Sequence, residues 1–120
     1  MSERESARAR LAAERRETLR RATELEREFS GIADSAAYGS SGGDDEHDPE
    51  GATVAFERQH VAALLERVRA HLAMVDAAAR KLHAGVYDQC DVCGGPIGAD
   101  RLAARPAALT CVRCAQGQGR

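Results

Sequence analysis

Between residues 3 and 38, small or apolar side chains recur at Ala7, Leu11, Thr18, Ala22, Leu25, Phe29, Ile32 and Ala36, in steps of three, four or seven. Such steps put them on one stripe of an α-helix, with Glu and Arg on the remaining faces. Glu14 fills the stripe between Leu11 and Thr18. Gly31 weakens the last turns by about 1 kcal/mol relative to Ala, so fraying is expected after Ser30. A second pattern is stricter. Val54, Val61, Val68, Val75 and Leu82 repeat every seven residues, and Arg58, Leu65, Leu72, Ala79 and Val86 follow each by four. All of these except Arg58 are apolar, and β-branched and Leu residues at this period form a coiled-coil seam. Asp48 is a candidate cap with Pro49 at the first helical position, and Gly85 is a stop signal after Ala84. A helix over 49–84 would be about 50 Å long. Residues 39–48, GSSGGDDEHD, read as a loop. Two striped helices on a short loop bury their stripes by folding back antiparallel, which pairs Leu25 with Val61, Ile32 with Val54, and Leu11 with Val75.

Composition narrows what such a chain can do. The 120 residues are 43% hydrophobic, but Ala dominates that share and buries little area, which excludes a thick globular core. No Trp, two Tyr and two Phe leave little material for an aromatic substrate pocket or a base-stacking surface. A net charge of −2 creates no long-range field toward DNA or an anionic membrane. No apolar run approaches a membrane span, and the opening MSERESARARLAAERRE mixes Glu with Arg where a targeting peptide would exclude acids. The chain reads as cytoplasmic and non-enzymatic.

The chemistry lies in the cysteines. Cys90 and Cys93 form CDVC, and Cys111 and Cys114 form CVRC, with 17 residues between the pairs. Two CxxC turns present four thiolates that close a tetrahedron around Zn²⁺ at about 2.3 Å, which is a structural site without an open position. Gly94 and Gly95 allow the sharp turn, and Pro96, Ile97, Leu102 and Leu109 are the apolar groups available to pack beneath it. Two disulfides or a dithiol redox site are the competing readings. A cytosolic chain disfavours the first, and the absence of a βαβ context disfavours the second. His83, like His60 and His71, reads as a helix surface residue. The expected organisation is mainly α: an antiparallel helical hairpin over 1–84 with its loop at 39–48, a C4 zinc module over 85–116, and an unstructured tail at 117–120.

The stretch GVYDQCDVCGGPIGADRLAARPAALTCVRC resembles the DksA/TraR family of C4-type zinc-finger proteins. The resemblance is carried by Gly85, Tyr87, Cys90, Cys93, Gly94, Ile97, Arg101, Leu102, Ala104, Pro106, Cys111 and Cys114, and the preceding hairpin also fits. It implies a regulator that binds RNA polymerase directly and threads the acidic tip of the hairpin into the secondary channel, without binding DNA. The acids Asp34, Asp44, Asp45, Glu46, Asp48 and Glu50 lie together with no Lys or Arg among them, and Asp44, Asp45, Glu46 and Asp48 are the candidate tip residues. Arg101 and Arg105 are candidate partner contacts on the finger. At the tip, family members carry two Asp residues three apart followed by Ala, where this chain has Asp48, Gly51 and Thr53. Asp88 stands where Gly is common. Helix two offers Met74 and Val75 where the alarmone-responsive members place positive charge. A response to (p)ppGpp is left open, with the balance against it.

Three other classes compete. A nucleic-acid-binding ribbon would need a basic face, whereas residues 85–120 hold four Arg against three Asp, too little for a phosphate footprint. A redox-sensing module would release zinc on oxidation of its thiols. A dimerising coiled coil would need a free seam, but the two helices occupy each other's, so a monomer is expected.

Overall fold

The computed structural model describes residues 2–39 and 49–117, with the side chains of 2–32 and 51–117. It is mainly α: α1 (Glu3–Gly39), α2 (Pro49–His83), α3 (Ala99–Ala104) and α4 (Val112–Ala115). The first two are the helices expected from the periodicity. Ser2 starts α1, its Oγ accepting the Glu5 N–H at 3.1 Å, while Glu3 and Glu5 in the first turn favour the positive end of the helix dipole. Pro49 opens α2. Its end is a Schellman motif: Val86 N–H donates to the Lys81 carbonyl at 2.9 Å and Gly85 N–H to the Leu82 carbonyl at 3.2 Å. Gly85 takes φ 81° to make that turn. Arg80, Lys81 and His83 in the last turn complement its negative pole.

The chain divides into two compact units, Leu19–Arg69 and Met1–Thr18 with Ala70–Arg120. In Leu19–Arg69, α1 and α2 run antiparallel around Ala22, Leu25, Val61 and Leu65, with Phe29, Ile32, Leu64 and Val68 packed at the margin. Leu25 and Val61 share this core as their spacing implied, and Ile32 borders it. The Arg58 guanidinium lies over the Phe29 ring, 5.3 Å from its centre, a cation–π contact that gives the one charged position of the α2 heptad pattern a use. Arg69 pairs with Glu26 across the two helices at 3.4 Å.

In the other unit, Ala7, Leu11, Val75, Ala78 and Leu82 make a second antiparallel seam, which Ala107 joins from the C-terminal segment. Leu11 and Val75 again share a core. The heptad reading is displaced by one residue here: Ala78 is fully buried while Ala79 is exposed. A straight α-helix has 3.6 residues per turn and drifts about 20° per heptad from a strict 3.5 repeat, so a core-facing position slips back. Val86 lies beyond the end of α2 and is 40% exposed, outside the seam assigned to it by count. His71 departs from the surface role expected of it. It is half-buried, with Nε2 2.7 Å from Glu14 Oε1, so Glu14 interrupts the apolar stripe because it faces a polar partner. His60 and His83 are exposed.

No fraying marks Gly31. The helix continues to Gly39, and nothing lies within 4 Å of a Cβ placed at Gly31. Gly31→Ala is therefore expected to stabilise Leu19–Arg69 by about 0.5–1 kcal/mol, read as a higher urea midpoint at unchanged slope. An unchanged midpoint would contradict it.

Candidate metal centre

The first cysteine pair sits on a tight turn directly after α2. Gly94 N–H donates to the Cys90 carbonyl at 3.0 Å and Cys90 N–H to the Gly95 carbonyl at 2.8 Å. Gly94 takes φ 74° to do so, and Gly95 needs no positive φ. Cys111 is the residue preceding α4 and Cys114 lies on it, so a short helix turns the second pair toward the first. All four Sγ atoms lie within 4.8 Å of one another. Cys93 Sγ and Cys111 Sγ are 3.9 Å apart, against an edge of about 3.8 Å for four sulfurs at the zinc–thiolate distance. No disulfide joins them.

Backbone N–H groups supply the surrounding shell. Cys90 Sγ accepts from Val92 N–H at 3.4 Å and Cys111 N–H at 3.3 Å, and Cys93 Sγ from Gly95 N–H at 3.4 Å. Such donors favour thiolates over thiols. The Cys93 backbone N–H lowers the Cys90 thiol to about 6 against the opposing effect of burial. The Cys114 backbone N–H lowers Cys111. Burial, together with the neighbouring sulfurs, pushes Cys114 up to about 12. Four sulfurs this close cannot all ionise without a cation among them. The donor set and spacing fit Zn²⁺, and the four cysteines would hold it.

Beneath the sulfurs lie Cys90, Ile97, Leu102 and Ala108. Ile97 and Leu102 were expected there. Pro96 is exposed, and Leu109 packs on the Leu11–Val75 seam together with Tyr87. Leu109 turns away because the chain after α3 must return past the helix ends before reaching Cys111. Tyr87 ties that return in place, its hydroxyl donating to the Pro106 carbonyl at 2.7 Å, and its burial raises its pKa, which Arg10 partly offsets.

The structure also gives roles to residues singled out for other reasons. Arg101, a candidate partner contact, is half-buried and its Nε donates to the Thr110 carbonyl at 2.9 Å, which holds the segment before Cys111 against α3. Arg105 is exposed. Asp88 accepts the Gly98 N–H on Oδ1 at 2.8 Å, so this departure from the family pattern secures the turn into α3. Asp44, Asp45, Glu46 and Asp48 lie outside the described residues. Lys81 was missed. Its Nζ reaches Asp91 Oδ1 at 2.8 Å and the Gln89 carbonyl, and the available signal was that it is the single lysine beside sixteen arginines.

Residues 84–118 match the family model described as the prokaryotic dksA/traR C4-type zinc finger. Among solved structures, the chain is similar to transcription factor DksA2 from Pseudomonas aeruginosa. The two are 27% identical, with 98% of this chain and 95% of that one covered and a TM-score of 0.53. No curated protein matches. No helix among the described residues is long and apolar enough to cross a membrane. The four clustered cysteines all lie within the matched residues, so residues 84–118 are similar to the C4-type zinc finger of the DksA/TraR family.

Proposed function

We propose that this chain is a non-enzymatic transcription regulator that acts through RNA polymerase. In this reading the acidic end of its helical hairpin enters the secondary channel and changes initiation without contacting DNA. The observation that carries the proposal is the pairing of the DksA/TraR finger with a two-helix segment, matched to a transcription factor over nearly the whole chain. Cys90, Cys93, Cys111 and Cys114 hold one structural Zn²⁺. The hairpin spans 1–84 and the finger 85–116. The chain acts as a monomer. Arg105 is the better placed of the two finger arginines to touch the polymerase, since Arg101 is tied to Thr110.

Charge supports the same reading. The run from Asp34 to Glu50 holds six acids and no Lys or Arg, so this stretch is drawn to a basic or metal-containing cavity. Where the resemblance sets positive charge in alarmone-responsive members, this chain has the 40% exposed Met74 and the buried Val75, so the balance is against a response to (p)ppGpp.

The test replaces Asp44, Asp45 and Asp48 with Asn and Glu46 with Gln in one variant. Helicity and zinc content should match the parent, while the concentration needed to alter initiation by purified polymerase rises on the order of tenfold. A photoreactive residue at position 45 should crosslink to the walls of the secondary channel. An unaltered dose response together with crosslinks confined to the polymerase exterior would refute the proposal.

A further inference from the structure

We propose that Lys81 is a positioning residue of the metal centre, fixing the CDVC turn to the end of α2 and thereby setting how long the bound zinc is retained. The side chain is only 14% exposed, although a lysine in the last turn of a helix would ordinarily extend into water. Its ammonium is instead directed at the first cysteine pair. Asp91 Oδ1, inside the CDVC turn, lies 2.8 Å away, and the carbonyl of Gln89, the residue before Cys90, accepts from the same nitrogen. The Lys81 carbonyl meanwhile accepts the Val86 N–H in the motif that ends α2. One residue therefore bonds, through its side chain and its main chain, both the helix terminus and the two residues flanking Cys90.

The chemistry calls for lysine here. Nζ is a compact donor with three N–H bonds, able to serve a carboxylate and a carbonyl from adjacent residues, whereas a planar guanidinium suits one bidentate partner. Four thiolates around one Zn²⁺ leave surplus negative charge, and a partly desolvated cation bonded to both neighbours of Cys90 offsets it. Asp91 is also held from the other side, its N–H donating to the Leu109 carbonyl at 2.9 Å. With Asp91 held through both its side chain and its main chain, the backbone on either side of Cys90 is fixed while Lys81 stays in place. Groups that orient metal ligands in this way commonly change metal affinity ten- to a hundredfold when removed.

The inference rests on the four cysteines holding zinc, and the metal content of the purified parent tests that separately. The full chain, zinc-loaded, is compared with Lys81→Met, Asp91→Asn and the double variant. Zinc transfer to an excess of a chromophoric chelator is timed in each. Helicity and the cobalt–thiolate absorption of the Co²⁺-substituted chains report whether fold and site persist. Lys81→Met should release zinc at least tenfold faster at unchanged helicity with the cobalt bands retained, and Asp91→Asn should add less than twofold on that background. Release within tenfold of the parent overturns the proposal, as does an Asp91→Asn effect that multiplies fully with that of Lys81→Met. If Lys81→Met fails to fold, the exposed Asp91→Asn decides: release more than twofold faster supports the inference, and anything less overturns it.

Discussion

Removing zinc from the purified chain should unfold the finger while leaving most of the helical signal of α1 and α2. Its own core holds only two large aliphatic side chains, Ile97 and Leu102, beside Cys90 and Ala108. Two such side chains contribute roughly 3–6 kcal/mol, far less than the cost of ordering thirty-odd residues. In small zinc peptides the metal supplies about 10–16 kcal/mol of folding free energy, which makes its loss the largest single change available to this chain. Cys93→Ser should act likewise. Cys93 is exposed, so the substitution removes a ligand without opening a cavity, and metal content should fall from one zinc per chain to a small fraction of that. The amides of Asp91, Ile97 and Gly98 should lose protection from hydrogen exchange, since their bonds to Leu109 and Asp88 exist only when the turn is closed. The effect should extend along the Leu11–Val75 seam, because Tyr87, Ala107 and Leu109 are part of its packing. Acid should act in the same direction as chelation. Binding displaces thiol protons, above all from Cys114 at about 12, so affinity falls as pH falls. A dispersed, protected finger spectrum after complete metal removal would refute the argument.

What the sequence made legible follows from which interactions are periodic. The stripe of α1 and the valines of α2 are spaced by helix geometry, so the helices, their antiparallel pairing, and the Leu25–Val61 and Leu11–Val75 neighbours could all be read from intervals. The cysteine spacing carried the metal centre for the same reason, because ligand geometry constrains loop length. Contacts set by chain reversal were hidden. Ala108 beneath the sulfurs, Leu109 on the helix seam and Arg101 on the Thr110 carbonyl depend on how the segment after α3 returns. No interval in the sequence encodes that path. Glu14 and His71 were hidden differently: Glu14 looks misplaced in the apolar stripe and His71 reads as a surface residue, and only their 2.7 Å approach explains both. The slip from Ala79 to Ala78 is a smaller lesson, in which counting by seven overruns a helix that turns every 3.6 residues.

Leu25→Ala is expected to cost about 3 kcal/mol, within the range for truncating a well-buried leucine. Leu25 is 1% exposed and lies among Ala22, Val61 and Leu65, with Phe29, Ile32, Leu64 and Val68 around them. Leu19, in the same unit but 38% exposed, is the matched control, and its replacement by Ala should cost well under 1 kcal/mol. The difference arises because a two-helix unit has a single seam. Among the described residues of this unit there is no third element to move into the space left at Leu25, so the loss includes the cavity as well as the transfer term. Against a total of order 5–15 kcal/mol for a small domain, such a loss should appear as a lower urea midpoint and faster amide exchange across residues 22–29 and 61–68. Zinc content should be unaffected, since no cysteine belongs to Leu19–Arg69. That separation makes the variant a probe of mechanism. If the acidic stretch must be presented on a stiff arm, Leu25→Ala weakens the effect on polymerase with every tip residue intact, whereas Leu19→Ala leaves it whole. Equal behaviour of the two variants, in stability or in transcription, would mean that the seam around Leu25 neither holds the helices together nor serves what they carry.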